Sequence, residues 1–300
     1  MNLKQLETFV RVAELGSFSK AALVLDTVQP ALSRQVRQLE VELRVTLLER
    51  TGRGVVLTAA GQRLLEHSVG ILQLVARARE AVASSRDELV GRIVVGLPPS
   101  VGRDLALPLV ECFEKEWPKA RLAIVEGLSA HVSEWIATGR VDIGLVHNPE
   151  PQAAIETEPL FDEPLLLVGP PSRARGAVAL ADLAGVPLVI PERSHAIRRL
   201  LEARAALAGV KLQVAWEVSS VPAILALVRG GHGHAVLTRD AITAEEGAGR
   251  LSARPIGDPP LVNTLSIATS ASKRASPLQR HVVRRLRDLV RDVLARPEGP

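Results

Sequence analysis

Residues 6–65 read LETFVRVAELGSFSKAALVLDTVQPALSRQVRQLEVELRVTLLERTGRGVVLTAAGQRLL, and this stretch decides the fold. Leu3, Leu6, Phe9, Val10 and Ala13 recur at helical spacing until Gly16 and Ser17 stop them. A second, short helix is expected from Ser19 to Leu25. Asp26 and Thr27 break the chain before Pro30, which suits the first turn of a helix because its missing N–H would have no intrahelical acceptor there. That third helix is expected to run to about Leu43, with Leu32, Val36, Leu39 and Leu43 inward. Two short helices, a turn and a third helix form the helix-turn-helix plan. Residues 47–50 and 55–57 then flank Thr51-Gly52-Arg53-Gly54, a hairpin with glycines at its tip that reads as a wing.

Downstream, Thr58 is a candidate cap for a long helix from Ala59 to about Glu88. Leu57, Gly61, Leu64, Ser68, Ile71, Val75, Ala78, Val82, Ser85 and Leu89 alternate four and three apart, an imperfect heptad seam. It reads as a dimerising partner helix assisted from elsewhere, and a plain amphipathic core helix is the alternative. Gly91 marks the next boundary. From Arg92 onward strands and helices alternate in a βαβαβ unit ending at His147, with parallel strands expected. A second such set starts at Leu165 and ends at Thr238. The apolar strand Thr264 to Ala268 and the helix Pro277 to Ala295 are expected to return to the first lobe, making a two-strand hinge. The domains expected are therefore 1–58, 59–90 and 91–300, the last with lobe I at 91–161 plus 265–300 and lobe II at 162–264.

At 300 residues, 47% hydrophobic and 23% charged, the chain has the composition of a multi-domain globular protein. No apolar run approaches the roughly 20 residues needed to span a bilayer, and charges interrupt the N-terminus where a signal peptide needs an apolar core. No membrane partner and a cytoplasmic location are expected. A net charge of +4 permits polyanion binding without demanding it. The one cysteine, Cys112, has no intrachain partner for a disulfide and sits in an apolar-periodic stretch, so it is assigned no chemistry.

The 6–65 stretch resembles the signature of LysR-type transcription regulators almost end to end. EGLSAHVSEWIATGRVDIGLV at 126–146 and VSSVPAILALVRGGHGHAVLT at 218–238 are similar to that family's effector domain, so the likeness covers all but the last few residues. It implies a multi-domain fold: an N-terminal winged helix-turn-helix, all-α with a β-wing; a long linker helix; and a C-terminal α/β, two-lobed, periplasmic-binding-protein-like effector domain. It also implies a dimer assembling into a homotetramer on double-stranded DNA at an interrupted palindromic operator, a small-molecule effector, and RNA polymerase as a candidate partner. Two departures stand out. Val28 occupies a position where the family often has a hydroxyl, for which Thr27 is the candidate replacement cap, and SRARGAVAL at 172–180 replaces a common His-Pro-Leu segment.

A recognition helix needs side chains near its start that reach base edges and basic groups that meet phosphates. Gln29, Pro30, Ser33, Arg34 and Arg37 fit: glutamine suits adenine, arginine suits guanine, and proline suits a thymine methyl. Arg50 and Arg53 on the wing suit backbone phosphate or the minor groove, with a solvated basic loop as the alternative.

In α/β lobes ligands bind beyond the carboxyl ends of strands, where helix N-termini offer free N–H groups. Ser100, Ser129, His147 and Asn148 follow strands of the first lobe. Pro191, Arg193, His195, Ser219, Ser220 and Thr238 occupy matching places in the second, and each serine serves equally as a helix cap. Arg193, His195, Arg198 and Arg199 are candidates to add positive charge, with a solvated helix face an equal explanation for the last two, and this favours a small organic anion. No histidine spacing suggests a metal, His232-Gly233-His234 reads as a structural turn, and no cofactor is expected.

An enzyme is the main competing class, but G-x-S-x-G, GxxxxGKS/T and G-x-G-x-x-G are all absent from the sequence. A solute-binding protein would need export and would not begin with a DNA-binding domain. A non-sensing architectural DNA binder is the third alternative.

Overall fold

The computed structural model describes residues 1–52, 54–83, 89–242, 249–257, 259–272 and 275–294. Three helices open the chain: α1 (Leu3–Leu15), α2 (Phe18–Val24) and α3 (Gln29–Leu43). Asn2 and Gln5 form a reciprocal capping box at the start of α1. The apolar stripes of the three helices close on Phe9, Leu32, Val36 and Leu39, and the Thr8 hydroxyl donates to the Gln35 side chain between α1 and α3. Thr27 does not cap α3. The N-cap residue is Val28, which makes no side-chain cap bond, and Thr27 turns back so that its N–H donates to the Ala22 carbonyl. The proline near the start of α3 has already removed one donor that a cap would serve.

Strands β1 (Leu48–Thr51) and β2 (Gly54–Leu57) pair antiparallel as the wing, and the Val55 N–H donates to the Gly16 carbonyl. Helix α4 (Ala59–Ala83) follows, with the Thr58 hydroxyl accepting from the Gly61 N–H at 3.0 Å. Ser85, which the heptad reading places on this helix, lies outside the described residues. Gly61 is not a weak point in a seam. A Cβ there would sit 2.1 Å from the Leu47 carbonyl oxygen, so its small size admits the base of the wing.

The first α/β sheet has the order β4-β3-β5-β12-β6. Its strands are β3 (Gly91–Leu97), β4 (Ala120–Glu126), β5 (Ile143–His147), β6 (Ile155–Pro164) and β12 (Val262–Ser270). β3 is parallel to β4 and β5, whereas β12 runs antiparallel to β5 and β6. Period-2 alternation sorts the side chains. Val95, Ile143, Leu145 and Ile267 face helices α5 (Pro99–Glu116) and α9 (Pro277–Val293), while Val94, Val146 and Ala268 face α6 (Ser129–Thr138).

The strand return holds: β12 re-enters the first sheet beside β5, and β6 and β12 cross together between the lobes. β6 itself was not expected. Its sequence IETEPLFDEP carries four acidic residues and two prolines, a composition tolerated at a sheet edge, which is where β6 lies. The first sheet therefore extends to Pro164 and resumes at Val262.

In the second lobe β7 (Leu166–Gly169) lies between β10 (Ala235–Leu237) and β11 (Ser252–Pro255). β8 (Pro187–Ile190) pairs in parallel with β9 (Gln213–Glu217) and bridges to His234 beside β10. Residues 172–180, the segment that departs from the family pattern, run as a mostly irregular connection into a short 3-10 turn at Leu180–Gly185. Helices α7 (Ala196–Leu207) and α8 (Val221–Arg229) complete the lobe. No described helix is long and apolar enough to cross a membrane.

The linker helix packs on lobe I of its own chain. A Cβ at Gly70 of α4 would lie 2.0 Å from the Thr138 carbonyl oxygen at the end of α6. With its amide turned to donate, the Gln73 side chain reaches the Gly139 and Arg140 carbonyls at 3.0 and 2.8 Å.

Candidate nucleic-acid interface and inter-lobe cleft

On α3, Gln29, Pro30, Arg34 and Arg37 are exposed and Ser33 is half-buried, while Leu32, Val36 and Leu39 are turned inward. Arg34 and Arg37 lie one turn apart and line one shallow groove with Gln38 and Val41. Among the described residues neither makes an ion pair or hydrogen bond within the chain. The Gln29 amide oxygen accepts from the Ser19 hydroxyl at 3.1 Å, which holds the first residue of α3 against α2. On the wing, the Arg50 guanidinium lies 5.7 Å from the centre of the Phe18 ring. Arg53 lies outside the described residues. The helix thus presents an exposed strip of hydrogen-bonding and cationic side chains with no internal partner for its two arginines.

Between the lobes is a cavity of about 390 Å³. Ser100, Ser129, His147, Pro191, His195, Ser219, Ser220 and Thr238 line it, so seven of the nine cleft positions expected as ligand contacts, and Ser220 beside them, come together. Asn148 and Arg193 do not. Asn148 holds the end of β5 to β12: its Nδ2 donates to Asn263 at 2.6 Å and its Oδ1 accepts from the Thr264 N–H at 2.9 Å. Arg193 is 80% exposed and leans toward Glu202 at 3.5 Å.

The cap alternative fails for most of the serines. No side chain caps α5, α6 or α8, whose N-cap residues are Pro98, Leu128 and Ser220, and Ser129 instead accepts from the His147 N–H at 2.9 Å. Three helix starts therefore open on the cleft with their first N–H groups uncapped by side chains.

Of the expected reserve of positive charge, His195 reaches the lining and Arg193, Arg198 and Arg199 do not. Arg198 is buried, donating to Glu202 at 2.6 Å and the Pro191 carbonyl at 3.1 Å. Arg199 reaches the Ser194 carbonyl at 2.7 Å and Glu150 at 3.3 Å. The lining includes Asp104, Glu163 and Asp240 against the guanidinium of Arg103, which binds Asp104 through two 3.0 Å contacts.

Both histidines are held neutral. Burial, reinforced by His195 nearby, lowers His147 to about 4. Burial and then the Arg199 charge also lower His195. The Asn263 Oδ1 is engaged by Asn148, so its Nδ2 donates to His147 Nδ1 at 2.9 Å, leaving the proton of the neutral ring on Nε2. His195 likewise accepts the Ile197 N–H on Nδ1 at 3.3 Å.

Glu163 moves the other way. Burial, then the Asp240 charge, raises it to about 7, against hydrogen bonds from the Asp240 and Arg239 backbones and the Thr238 hydroxyl. Burial, then Asp104, also raises Asp240, with Arg103 opposing.

The sequence reading missed Arg103, Asp104, Glu163, Asp240 and Asn263. The first two lie one helical turn past Ser100, and Asp240 lies two residues past Thr238. Glu163 and Asn263 face each other across the paired strands β6 and β12, so recognition of β6 was the signal needed to find them.

Opposite pH effects follow. Between about pH 4.5 and 7 the folded state holds a proton on Glu163 that the unfolded chain releases, so this group stabilises at low pH and its contribution is lost as pH rises through 7. Between about pH 6.5 and 4 the unfolded chain protonates His147 and the folded state does not, so stability falls as pH falls. Relative to the parent protein, Glu163→Gln should gain thermal stability as pH rises from 4.5 to 7, and His147→Asn should gain it as pH falls from 6.5 to 4. Melting curves across that range check both signs.

Comparison with known proteins agrees with this architecture. Residues 3–62 match the model "Bacterial regulatory helix-turn-helix protein, lysR family", and residues 86–294 match "LysR substrate binding domain". The chain belongs to the LysR family. This LysR-family protein is a DNA-binding transcription regulator with an effector-binding domain, in a family whose partners are operator DNA, small effectors and further copies of the chain. It is 33% identical to the HTH-type transcriptional regulator BbuR of Bordetella bronchiseptica, over 95% of this chain and 87% of that protein. Full-length OxyR from Pseudomonas aeruginosa superimposes with a TM-score of 0.70 at 27% identity, covering 100% of this chain and 99% of that one. Full-length CbnR complexed with its target DNA shares the fold, with a TM-score of 0.64 at 24% identity over 96% of this chain and 100% of that one.

Proposed function

We propose that this LysR regulator reads its operator with the exposed strip of α3 and that a ligand in the inter-lobe cleft changes how the assembled protein holds that DNA. The division is a reader at 1–58, a dimerising linker at 59–90 and a sensor at 91–300. Gln29, Pro30, Ser33, Arg34 and Arg37 meet base edges and nearby phosphates, while Arg50 and Arg53 meet backbone. The observation carrying this reading is the pair Arg34 and Arg37, two exposed guanidinium groups on a rigid helix.

The assembly is a cytoplasmic homotetramer built from dimers on an interrupted palindrome, and it has no enzymatic step. Control requires only that the effector bind one arrangement of the tetramer better than another, and a coupling of about 1–3 kcal/mol changes affinity roughly five- to 150-fold. Operator selection from random duplexes, followed by footprinting with and without a cleft ligand, tests the whole reading. Selected sites should carry two half-sites in inverted repeat, and the ligand should alter footprint, bend or transcription. A ligand that leaves all three unchanged removes the sensing role. Truncation after Glu88 separates the architectural alternative, since a purely architectural protein would keep its full function.

A further inference from the structure

We propose that the effector is a small zwitterion of amino-acid type, with its ammonium at Asp240, Glu163 and Asp104 and its carboxylate at the neighbouring histidines and the start of α6. This inference rests on the cleft being the effector site. The cavity of about 390 Å³ lies near the small end of the usual range for ligand pockets, roughly 300–1,000 Å³, and so suits a compact molecule.

Its lining holds two neighbouring groups of different character, joined where Asn263, the cross-strand partner of Glu163, donates to His147. In the first, His147 and His195 interact with each other, and Ser129, from the uncapped start of α6, is bonded to the His147 backbone. Both imidazoles accept on Nδ1, so each carries its proton on Nε2 as a neutral donor. Free helix N–H groups and N–H donors of this kind receive a carboxylate. In the second, Asp240 interacts with Asp104 and Arg103, and Glu163 is bonded to the backbone and hydroxyl of residues 238–240.

Among the described residues three carboxyl groups therefore face one guanidinium, and that guanidinium is already bound in two places to Asp104. A simple carboxylic acid would satisfy the histidines and leave like charges crowded beside them. An ammonium supplies a second cation to this group, and it also bridges the lobes: Asp104 is on α5 of lobe I, Glu163 is on the crossing strand β6, and Asp240 is in lobe II.

The test uses the full-length protein and three matched probe sets: L-amino acids, the corresponding 2-oxo acids, and the primary amines that lack the carboxylate. Hydrogen exchange of peptides spanning residues 126–148 and 234–242 reports occupancy of the cleft, and operator binding reports function. The expected result is protection by at least one amino acid and by neither of its counterparts. Asp240→Asn and Glu163→Gln should each weaken that binding about ten-fold or more, a loss of about 1.4 kcal/mol, with unchanged circular dichroism. A 2-oxo acid that protects the cleft as well as its amino acid overturns the ammonium assignment and leaves the cleft as the effector site. Absence of protection by every amino acid also overturns the assignment. A compound that changes operator binding while protecting neither peptide overturns the cleft reading itself. Should one variant fold poorly, the other and Asp104→Asn carry the comparison.

Discussion

Replacing Arg34 with alanine should weaken operator binding about five- to 150-fold, and replacing Arg34 and Arg37 together should abolish discrimination between operator and random duplex. Each well-placed bidentate contact to a base contributes roughly 1–3 kcal/mol of discrimination. An arginine that meets phosphate instead weakens all sequences alike and lowers the slope of log affinity against log salt by about one. Gel shifts on specific and random DNA at several salt concentrations therefore separate the two roles for each residue. Dimerisation and melting temperature should not move, because both side chains are exposed and the core face of α3 is formed by Leu32, Val36 and Leu39. Wild-type affinity in Arg34→Ala would remove the recognition assignment.

Gly70→Ala should destabilise the protein, which is the reverse of the usual sign. At an open helix position, alanine in place of glycine stabilises by about 1 kcal/mol. At Gly70 the added Cβ would lie 2.0 Å from the Thr138 carbonyl oxygen and 3.0 Å from its carbonyl carbon. Both are backbone atoms, so no rotamer change relieves the contact and α4 has to move away from α6. Overpacking of this kind costs about 1–3 kcal/mol, and Gly70→Val should cost more. Thermal melting gives the sign. The same variants should bind operator with reduced or absent response to a cleft ligand, since the only change is at the joint between linker and sensor. A stabilised Gly70→Ala protein would mean that α4 does not rest on lobe I.

The contrast between Gly61 and Gly70 on one side and Pro30 on the other shows what can be read from the chain alone. Pro30 acts locally, so its place near a helix start follows from its own ring. The wing, the three N-terminal helices and the alternating sensor lobes were likewise legible, because period and turn chemistry are local. Gly61 and Ser68 looked like defects in a dimer seam, yet both are buried: Gly61 admits the wing, and the Ser68 hydroxyl donates to the Leu64 carbonyl at 2.6 Å. Their reason lies in elements distant in sequence. β6 escaped because an edge strand rich in Glu and Pro has no apolar alternation to detect, and with it went Glu163. Arg193, Arg198 and Arg199 were counted as cleft charge although nothing in the sequence shows that Glu202, Glu150 and two backbone carbonyls engage them. Chemical type was visible in these side chains, whereas the carboxylates and carbonyls that neutralise them were not.

Helix α6 is ten residues long, about 15 Å from end to end. Ser129 at its first turn touches the cavity, and the carbonyls just past its last turn meet the linker. The interior of this short rod is packed on Val132 and Ile136, both fully buried, which resists bending. A ligand bound against Ser129 would bear on a part that also touches the helix carrying the DNA reader, and slack at either end of that part would lower the sensor's sensitivity.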